Sequence, residues 1–97
     1  MPDIQPHTII TLANGVSATG PSVSWSGGAG TFSAEATWGG GTVTLQVQSG
    51  NGTWIAVGSD TTMTANAIAG FILPKGAVIR ALIATATVVF AYVTPLQ

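Results

Sequence analysis

The sequence predicts an all-β fold, a single compact antiparallel sandwich or barrel of about eight strands with a jelly-roll-like arrangement. Helical periodicity is nearly absent, since no stretch combines ten non-glycine residues with an apolar repeat of 3.6. Short runs of alternating apolar and polar residues occur instead, bounded by Gly, Asn, Asp and Pro. Thr, Val, Ile and Gly are abundant, which is typical of short strands joined by tight turns.

Two central runs show the alternation most clearly. Thr31–Trp38 and Thr42–Gln48 each place apolar side chains on one face and polar side chains on the other, as half-buried strands do. Gly39–Gly41 joins them, and such a short glycine loop predicts that the two strands pair as a tight hairpin. Ser49–Gly52 contains Asn-Gly, a strong hairpin signal, and predicts a second hairpin to a strand over Thr53–Val57.

The remaining strands are predicted from shorter patterns. In the last one, residues 88–93 are apolar on both faces, so we expect that strand to be central or covered by a partner. Residues 1–6 contain two Pro and are predicted to form an extended arm, with residues 7–97 as a single domain. Asn14-Gly15 is predicted to be the turn after the first strand. The predicted strands outside the centre are His7–Ala13, Ser22–Trp25, Met63–Leu73, Ala77–Ala84 and Thr87–Val93.

Charged side chains are scarce. The chain has five, where about 24 would be usual for its length. Interface cores are depleted in charge, so we expect much of the surface to be buried against protein partners. The net charge of −1 and two basic residues provide no patch for nucleic acid. The longest apolar run, Ala81–Val93, has thirteen residues, is interrupted by Thr85 and Thr87, and is too short for a membrane-spanning helix. The sequence thus predicts a soluble protein with neither nucleic acid nor membrane as a partner.

No residue pattern predicts catalysis, a cofactor or a metal site. Cysteine is absent and His7 is the only histidine, so a metal would lack a second nitrogen or sulfur ligand. Glu35 is on the polar face of its strand and Asp60 is in a Gly-Ser-Asp turn, so we do not expect a glycosidase-like pair. A Gly-x-Ser-x-Gly motif is also missing. We therefore expect that the protein is not an enzyme.

Three tryptophans leave a sugar-binding role open. Trp38 continues the apolar face of its strand, and we expect it to be buried with Val43 and Leu45. Trp54 follows a hairpin turn, where aromatic rings often cover the end of a sheet. Trp25 stands between serines and next to glycines, and exposure and core packing are equal alternatives for it. An exposed Trp25, together with Trp54, would provide an aromatic platform for a glycan.

An ordered series of motifs runs from Gly30 to Val93. It begins with GTF at residues 30–32, continues as WGGGTVTLQVQ at 38–48 and GTWIAV at 52–57, and ends with FILPKG at 71–76 and Arg80. In order and spacing the chain resembles a group of small virion proteins of tailed bacteriophages. The pattern of that group is GTF…GGxTVxLQ…DGTW…V, followed by an apolar strand, LPxG and a strand with an arginine. Asn51, where Asp is common, and a more apolar last strand are departures from it.

The resemblance implies a jelly-roll-like domain that attaches to the outside of a capsid, often as a trimer, and decorates or stabilises it. We therefore expect a structural virion protein whose partners are the major capsid protein or other virion proteins, and further copies of itself. The alternative function is a carbohydrate- or receptor-binding module of a phage tail or fibre. The arm is expected at a partner interface, and the individual residues expected there are Ile4 of the arm, His7, Trp25, Phe90 and Tyr92.

Overall fold

Nine strands and one 3-10 turn make up the regular structure of residues 9–96, the part of the chain that the computed structural model describes. The predicted arm over residues 1–6, with Ile4, and the predicted first strand residue His7 lie outside this part. The strands are β1 Ile10–Val16, β2 Val23–Ser24, β3 Gly28–Thr37, β4 Thr42–Gln48, β5 Trp54–Ala56, β6 Thr62–Met63, β7 Ala67–Leu73, β8 Val78–Ala84 and β9 Thr87–Pro95, and the 3-10 turn is Ser59–Thr61.

These strands form two antiparallel sheets that pack as a β-sandwich, which confirms the predicted fold class. Sheet A has the order β1-β9-β3-β7, and sheet B has the order β2-β8-β4-β5, with β6 also paired to β4. The pairs are nested along the chain, because β1 pairs with β9, β2 with β8, β3 with β7, and β4 with β5 and β6. Outside the β4–β6 region, consecutive strands therefore lie in opposite sheets.

The core lies between the two sheets. It is built from the side chains that point inward at every second position of the strands. Phe32 and Val93 of sheet A and Val43 and Leu45 of sheet B are completely buried. Burial of each such side chain stabilises the fold by about 1.5–3 kcal/mol. Within the described residues, every buried side-chain nitrogen and oxygen has a hydrogen-bond partner. The interior is therefore apolar, and its few polar atoms are satisfied.

The loop Gly39–Gly41 connects the two sheets, so the predicted hairpin between β3 and β4 is wrong. Both strands exist with the predicted alternation, but β3 pairs with β7 and β9, whereas β4 pairs with β5, β6 and β8. Their apolar faces meet across the core, where Phe32 and Leu45 are both buried. Alternation identifies the buried face of a strand but does not identify its neighbour.

Asn14-Gly15 belongs to β1, so the turn predicted there is also wrong. The pairing of β1 with β9 shifts register between Asn14 and Val16, and Gly15 has a φ of 69°. A β-bulge inserts one extra residue into a strand, and a glycine with positive φ often supplies it. The backbone freedom that makes Asn-Gly a turn signal serves a bulge here.

The last strand is central in sheet A, as its two apolar faces predict. β9 lies between β1 and β3. Val89, Ala91 and Val93 point inward and are completely buried. Phe90 and Tyr92 lie on the opposite face and are half-buried. One face of β9 therefore completes the core, and the other forms the middle of an outer surface.

The second predicted hairpin, between β4 and β5, is confirmed. The Ser49 N–H donates to the Thr53 carbonyl at 2.8 Å, and the Gly52 N–H donates to the Ser49 carbonyl at 2.9 Å. Gly52 has a φ of 85°, in the left-handed region that side chains with a Cβ rarely occupy. The turn thus depends on glycine at position 52.

We expect Gly52→Val to destabilise the protein by about 1 kcal/mol or more, because a β-branched residue is strained at positive φ. The matched control is Gly50→Val in the same loop, where the φ is not in the left-handed region and an added Cβ meets open space. That substitution is expected to stay within about ±0.5 kcal/mol. Thermal or urea unfolding measures both, and equal stabilities for the two variants would contradict this description of the turn.

Candidate interaction surfaces

The outer face of sheet A is made of apolar and hydroxyl side chains. Across its middle, Ser33 of β3 pairs with Tyr92 on one side and with Ile68 on the other. Glu35 is its single charged residue within the described part of the chain. Alternation and register place the following residues on this face: Thr11, Asn14, Ala29, Thr31, Ser33, Glu35, Ile68, Gly70, Ile72, Phe90, Tyr92 and Thr94.

Exposed large hydrophobic side chains are concentrated on this face. Seven occur in the described residues, and four of them belong here or continue the alternation of its strands: Ile9, Ile68, Ile72 and Leu96. Ile68 is 68% exposed and Ile72 is 76% exposed, and both are on β7 at the sheet edge. Single exposed apolar residues are ordinary, but a group of them on one face marks an interaction site.

A shallow depression of about 480 Å³ lies beside Ile72 on the same face. It exists because Gly70 and Ala29 carry little or no side chain between the larger Ile72 and Leu96. Its lining is Ala29, Gly30, Gly70, Phe71, Ile72 and Leu96, which includes no titratable group. The depression therefore suits a small apolar group of a protein partner.

Two of the residues predicted for partner contact, Phe90 and Tyr92, are in the middle of this outer face. Ile4 and His7 lie outside the described residues. Trp25 is different, because it is only 1% exposed and cannot contact a partner or a glycan in the folded protein. Its prediction as an interface residue is wrong, and core packing is the correct alternative.

Trp25 is buried because neighbouring glycines leave room for its ring. A Cβ on Gly30 would lie 2.5 Å from the end of the indole, so only glycine fits opposite it. The indole N–H donates to the Gly28 carbonyl at 3.1 Å, and the ring packs on Phe71 with centroids 4.9 Å apart. Gly30 is in phase with the buried Phe32, and a glycine at an inward strand position signals close approach of another group. That signal is present in the sequence, but only the structure identifies Trp25 as the group that approaches.

Trp38 packs against the core as predicted but is only half-buried. Its indole N–H donates to Asn66 Oδ1 at 2.8 Å. The same oxygen accepts the Ala36 N–H at 3.2 Å. Trp38 therefore has an apolar inner side and a polar edge held by Asn66, so the predicted position is confirmed and the predicted depth of burial is not.

The outer face of sheet B carries a cluster of Trp54, Arg80 and Gln46. The Arg80 guanidinium lies over the Trp54 ring, 4.2 Å from its centroid. Arg80 Nε donates to Gln46 Oε1 at 2.9 Å, which fixes the orientation of the guanidinium. Cation–π contacts of this kind contribute about 0.5–1 kcal/mol when exposed. Sequence alternation places Gln46 on this face but gives no sign that Arg80 stacks on Trp54.

The two carboxylates of the described residues belong to different elements of the fold. Glu35 is exposed on sheet A beside Phe90, and Asp60 is exposed in the 3-10 turn, as its turn signal predicts. Within residues 9–96, no three His, Cys, Asp or Glu side chains are grouped as a metal would require. A second depression, of about 420 Å³, is lined by part of β1 and by residues 18–21, and its polar side chains are hydroxyls and the Asn14 amide.

No helix in the described part of the chain is long and apolar enough to cross a membrane. Comparison of the chain with family models, with curated proteins and with solved structures finds no match. The function is therefore inferred from the two outer sheet faces and from the composition of the chain.

Proposed function

We propose that this chain is a structural protein of a virus particle, and that it binds the outside of the capsid through the outer face of sheet A. The observation that carries this proposal is the collection of exposed apolar side chains, Ile68, Ile72 and Leu96, around the half-buried Phe90 and Tyr92. The motif order from Gly30 to Val93 supports a tailed phage as the source. The partner is the major capsid protein or another virion protein, and the protein decorates or stabilises the shell.

The strand order supports the jelly-roll part of the proposal. In a jelly roll, a long hairpin is folded over on itself, so that its two arms pair as nested strands and divide between two sheets. The pairs β1–β9, β2–β8, β3–β7 and β4–β5 follow this scheme when β5 and β6 are counted as one interrupted strand. Viral capsid and lectin domains both use this architecture.

The scarcity of charge supports attachment by apolar burial. A standard interface buries roughly 800 Å² per partner, which is about 15% of the 5175 Å² surface of this chain. The outer face of sheet A has one carboxylate among its described residues, so a partner need not neutralise a dense charge pattern. We propose a homo-oligomer on the particle, with the trimer implied by the resemblance as its form.

The test is to strip the protein from particles and to add back purified variants at low and high salt. We expect rebinding of the unmodified protein to change little with salt, because screening acts on exposed charges and leaves apolar burial intact. Ser33→Lys places a charge in the middle of the proposed contact and should lower affinity at least tenfold, or about 1.4 kcal/mol. Thr62→Lys, on the outer face of sheet B, is the matched control and should bind like the unmodified protein.

The heat resistance of the same particles measures stabilisation. A ligand that binds only the intact shell stabilises it by about 2.7 kcal/mol per site at a hundredfold excess over its dissociation constant. Rebinding that collapses in a few hundred millimolar salt would contradict apolar attachment. Equal binding by the Ser33→Lys variant would exclude the outer face of sheet A as the contact.

A second candidate function is binding of a carbohydrate or receptor, and the Trp54 cluster on sheet B is the observation that favours it. Trp54, Arg80 and Gln46 combine an aromatic ring with amide and guanidinium groups on one face of sheet B. The aromatic platform predicted from Trp25 and Trp54 is reduced to Trp54, one face of which Arg80 covers. Particles equally heat-resistant with and without the protein would favour this second role.

A further inference from the structure

We propose that the open edge of β7 pairs with β7 of a second copy of this chain, antiparallel and around a two-fold axis at Gly70. β7 is the terminal strand of sheet A, and within the described residues it pairs with β3 alone. The pairing would join two copies of sheet A into one eight-stranded sheet. It rests neither on the proposed capsid attachment nor on the trimer proposed for the particle, since it concerns the isolated chain in solution, where two copies are enough.

Backbone geometry identifies which groups of β7 are free. In an antiparallel ladder the N–H and C=O of one residue point to the same neighbour, and successive residues alternate. The Ala29 carbonyl accepts from the Leu96 N–H at 3.0 Å. The backbone N–H and C=O groups of Ala29 and of every second residue after it in β3 therefore point toward β9. The backbone N–H and C=O groups of the intervening β3 residues point toward β7, where their partners are Ala67, Ala69, Phe71 and Leu73. Ile68, Gly70 and Ile72 therefore direct their N–H and C=O groups to the open edge.

These three residues are symmetric about Gly70. When two β7 strands pair around that point, Ile68 of each copy lies opposite Ile72 of the other, and the two Gly70 residues face each other. Each such position is a hydrogen-bonded pair, so the free donors and acceptors of one edge match those of the other. The Ile68–Ile72 pairs also cover two of the most exposed apolar side chains of the molecule. The 3-10 turn lies beside β7 but does not bury Ile68, Gly70 or Ile72, which are all exposed.

The other sheet edges carry features that prevent such pairing, and β7 does not. β1, the opposite edge of sheet A, has two register shifts. In sheet B, β2 has two residues and β5 has three. β7 has seven residues, no charge and no register shift against β3. Proteins protect their edge strands by shortness, bulges, charge or proline, so an edge without any of these indicates a pairing site.

A second copy is the occupant that this edge fits best, because its residue pattern is its own complement. No like charges face each other across the axis, since Ala67–Leu73 contains none. One strand pair buries less area than a standard interface of roughly 800 Å² per partner, so we expect a dimer that dissociates in the micromolar range.

The experiment compares charge variants of the purified full chain by sedimentation at about 10–100 µM, the range set by that weak interface. Ile68→Lys with Ile72→Lys places like charges opposite each other across the axis, and should weaken pairing at least tenfold. Ile68→Lys with Ile72→Glu places opposite charges there and should retain pairing, with a new sensitivity to salt. Ile55→Lys is the control, because Ile55 is 50% exposed on the edge strand of sheet B. All three sites are at least half exposed, so each variant should fold, which circular dichroism and melting confirm.

The expected result is that the unmodified protein, the Lys/Glu variant and the Ile55→Lys variant have similar average masses, and that the Lys/Lys variant has a lower average mass at every concentration. Equal masses for the unmodified protein and the Lys/Lys variant would overturn the proposal. Loss of pairing in the Lys/Glu variant as well would overturn the two-fold register. The Ser33→Lys variant separates this proposal from capsid attachment, because it alters the proposed capsid contact and leaves β7 unchanged. It should dimerise like the unmodified protein even where it does not bind particles.

Discussion

Trp25→Ala is expected to unfold the protein or nearly so, with a loss of about 3–5 kcal/mol. The indole is 1% exposed, packs on Phe71 and donates a hydrogen bond to Gly28, so its removal leaves a large cavity and an unpaired carbonyl. Refilling of that cavity is limited, because Gly30 opposite the ring has no side chain to move into it. Domains of this size are stable by only about 5–15 kcal/mol, so the loss is a large part of the total.

Chemical denaturation and calorimetry measure this effect, and Trp38→Ala is the matched comparison. Trp38 is half-buried and its indole bonds the exposed Asn66, so its truncation should cost clearly less than that of Trp25. The sequence pattern alone favours the reverse order, because it places Trp38 in the core and leaves exposure and core packing as equal alternatives for Trp25. A Trp25→Ala protein as stable as the Trp38→Ala protein would contradict the packing described above.

Gly41→Ala is expected to cost about 3 kcal/mol or more, at or above the upper end of the usual range for overpacking. Gly41 is buried where the β3–β4 loop meets the β8–β9 loop. An added Cβ would overlap backbone atoms of Ala84 and Ala86 and lie 2.8 Å from the Thr85 carbonyl carbon. Backbone atoms cannot rotate away as a side chain can, so the two loops, each of which crosses between the sheets, would have to separate.

Gly50→Ala is the control for this substitution. Gly50 is exposed, its φ is outside the left-handed region, and a Cβ there meets nothing within 4 Å. A loss of 3 kcal/mol would lower the melting temperature by about 12–24 °C in a domain of this length, whereas the control should shift it little. A Gly41→Ala protein that melts with the Gly50→Ala control would show that the two loops do not meet as described.

Residue alternation predicts the strands well because it depends on the face that each strand buries. The central β3 and β4 and the central position of β9 were predictable in this way, and the Asn-Gly signal predicted the β4–β5 hairpin. The neighbours of β3 were not, because a Gly39–Gly41 loop of the same length can close a hairpin or cross between sheets. That choice depends on contacts with Ala84–Ala86, more than 40 residues away in the sequence.

The candidate surface on sheet A could be predicted from the sequence only in part. Phe90 and Tyr92 were identifiable because a strand with two apolar faces must cover both. Ile68 and Ile72 were not, because their strand reads as half-buried until its terminal position in sheet A is known. Trp25 was misassigned because its serine neighbours suggest exposure, whereas its burial depends on Gly30 in β3.

The central position of β9 also determines when the fold can form during synthesis. β9 is the last strand of the described chain, yet it lies between β1 and β3 and joins them into sheet A. Until Thr87–Pro95 has left the ribosome, β1 has no partner in that sheet and the β3–β7 pair has an open inner edge. Contacts between the two ends of a chain also make folding slow, since a long loop must close before they form. We therefore infer that sheet A is assembled only once β9 is available, around that strand.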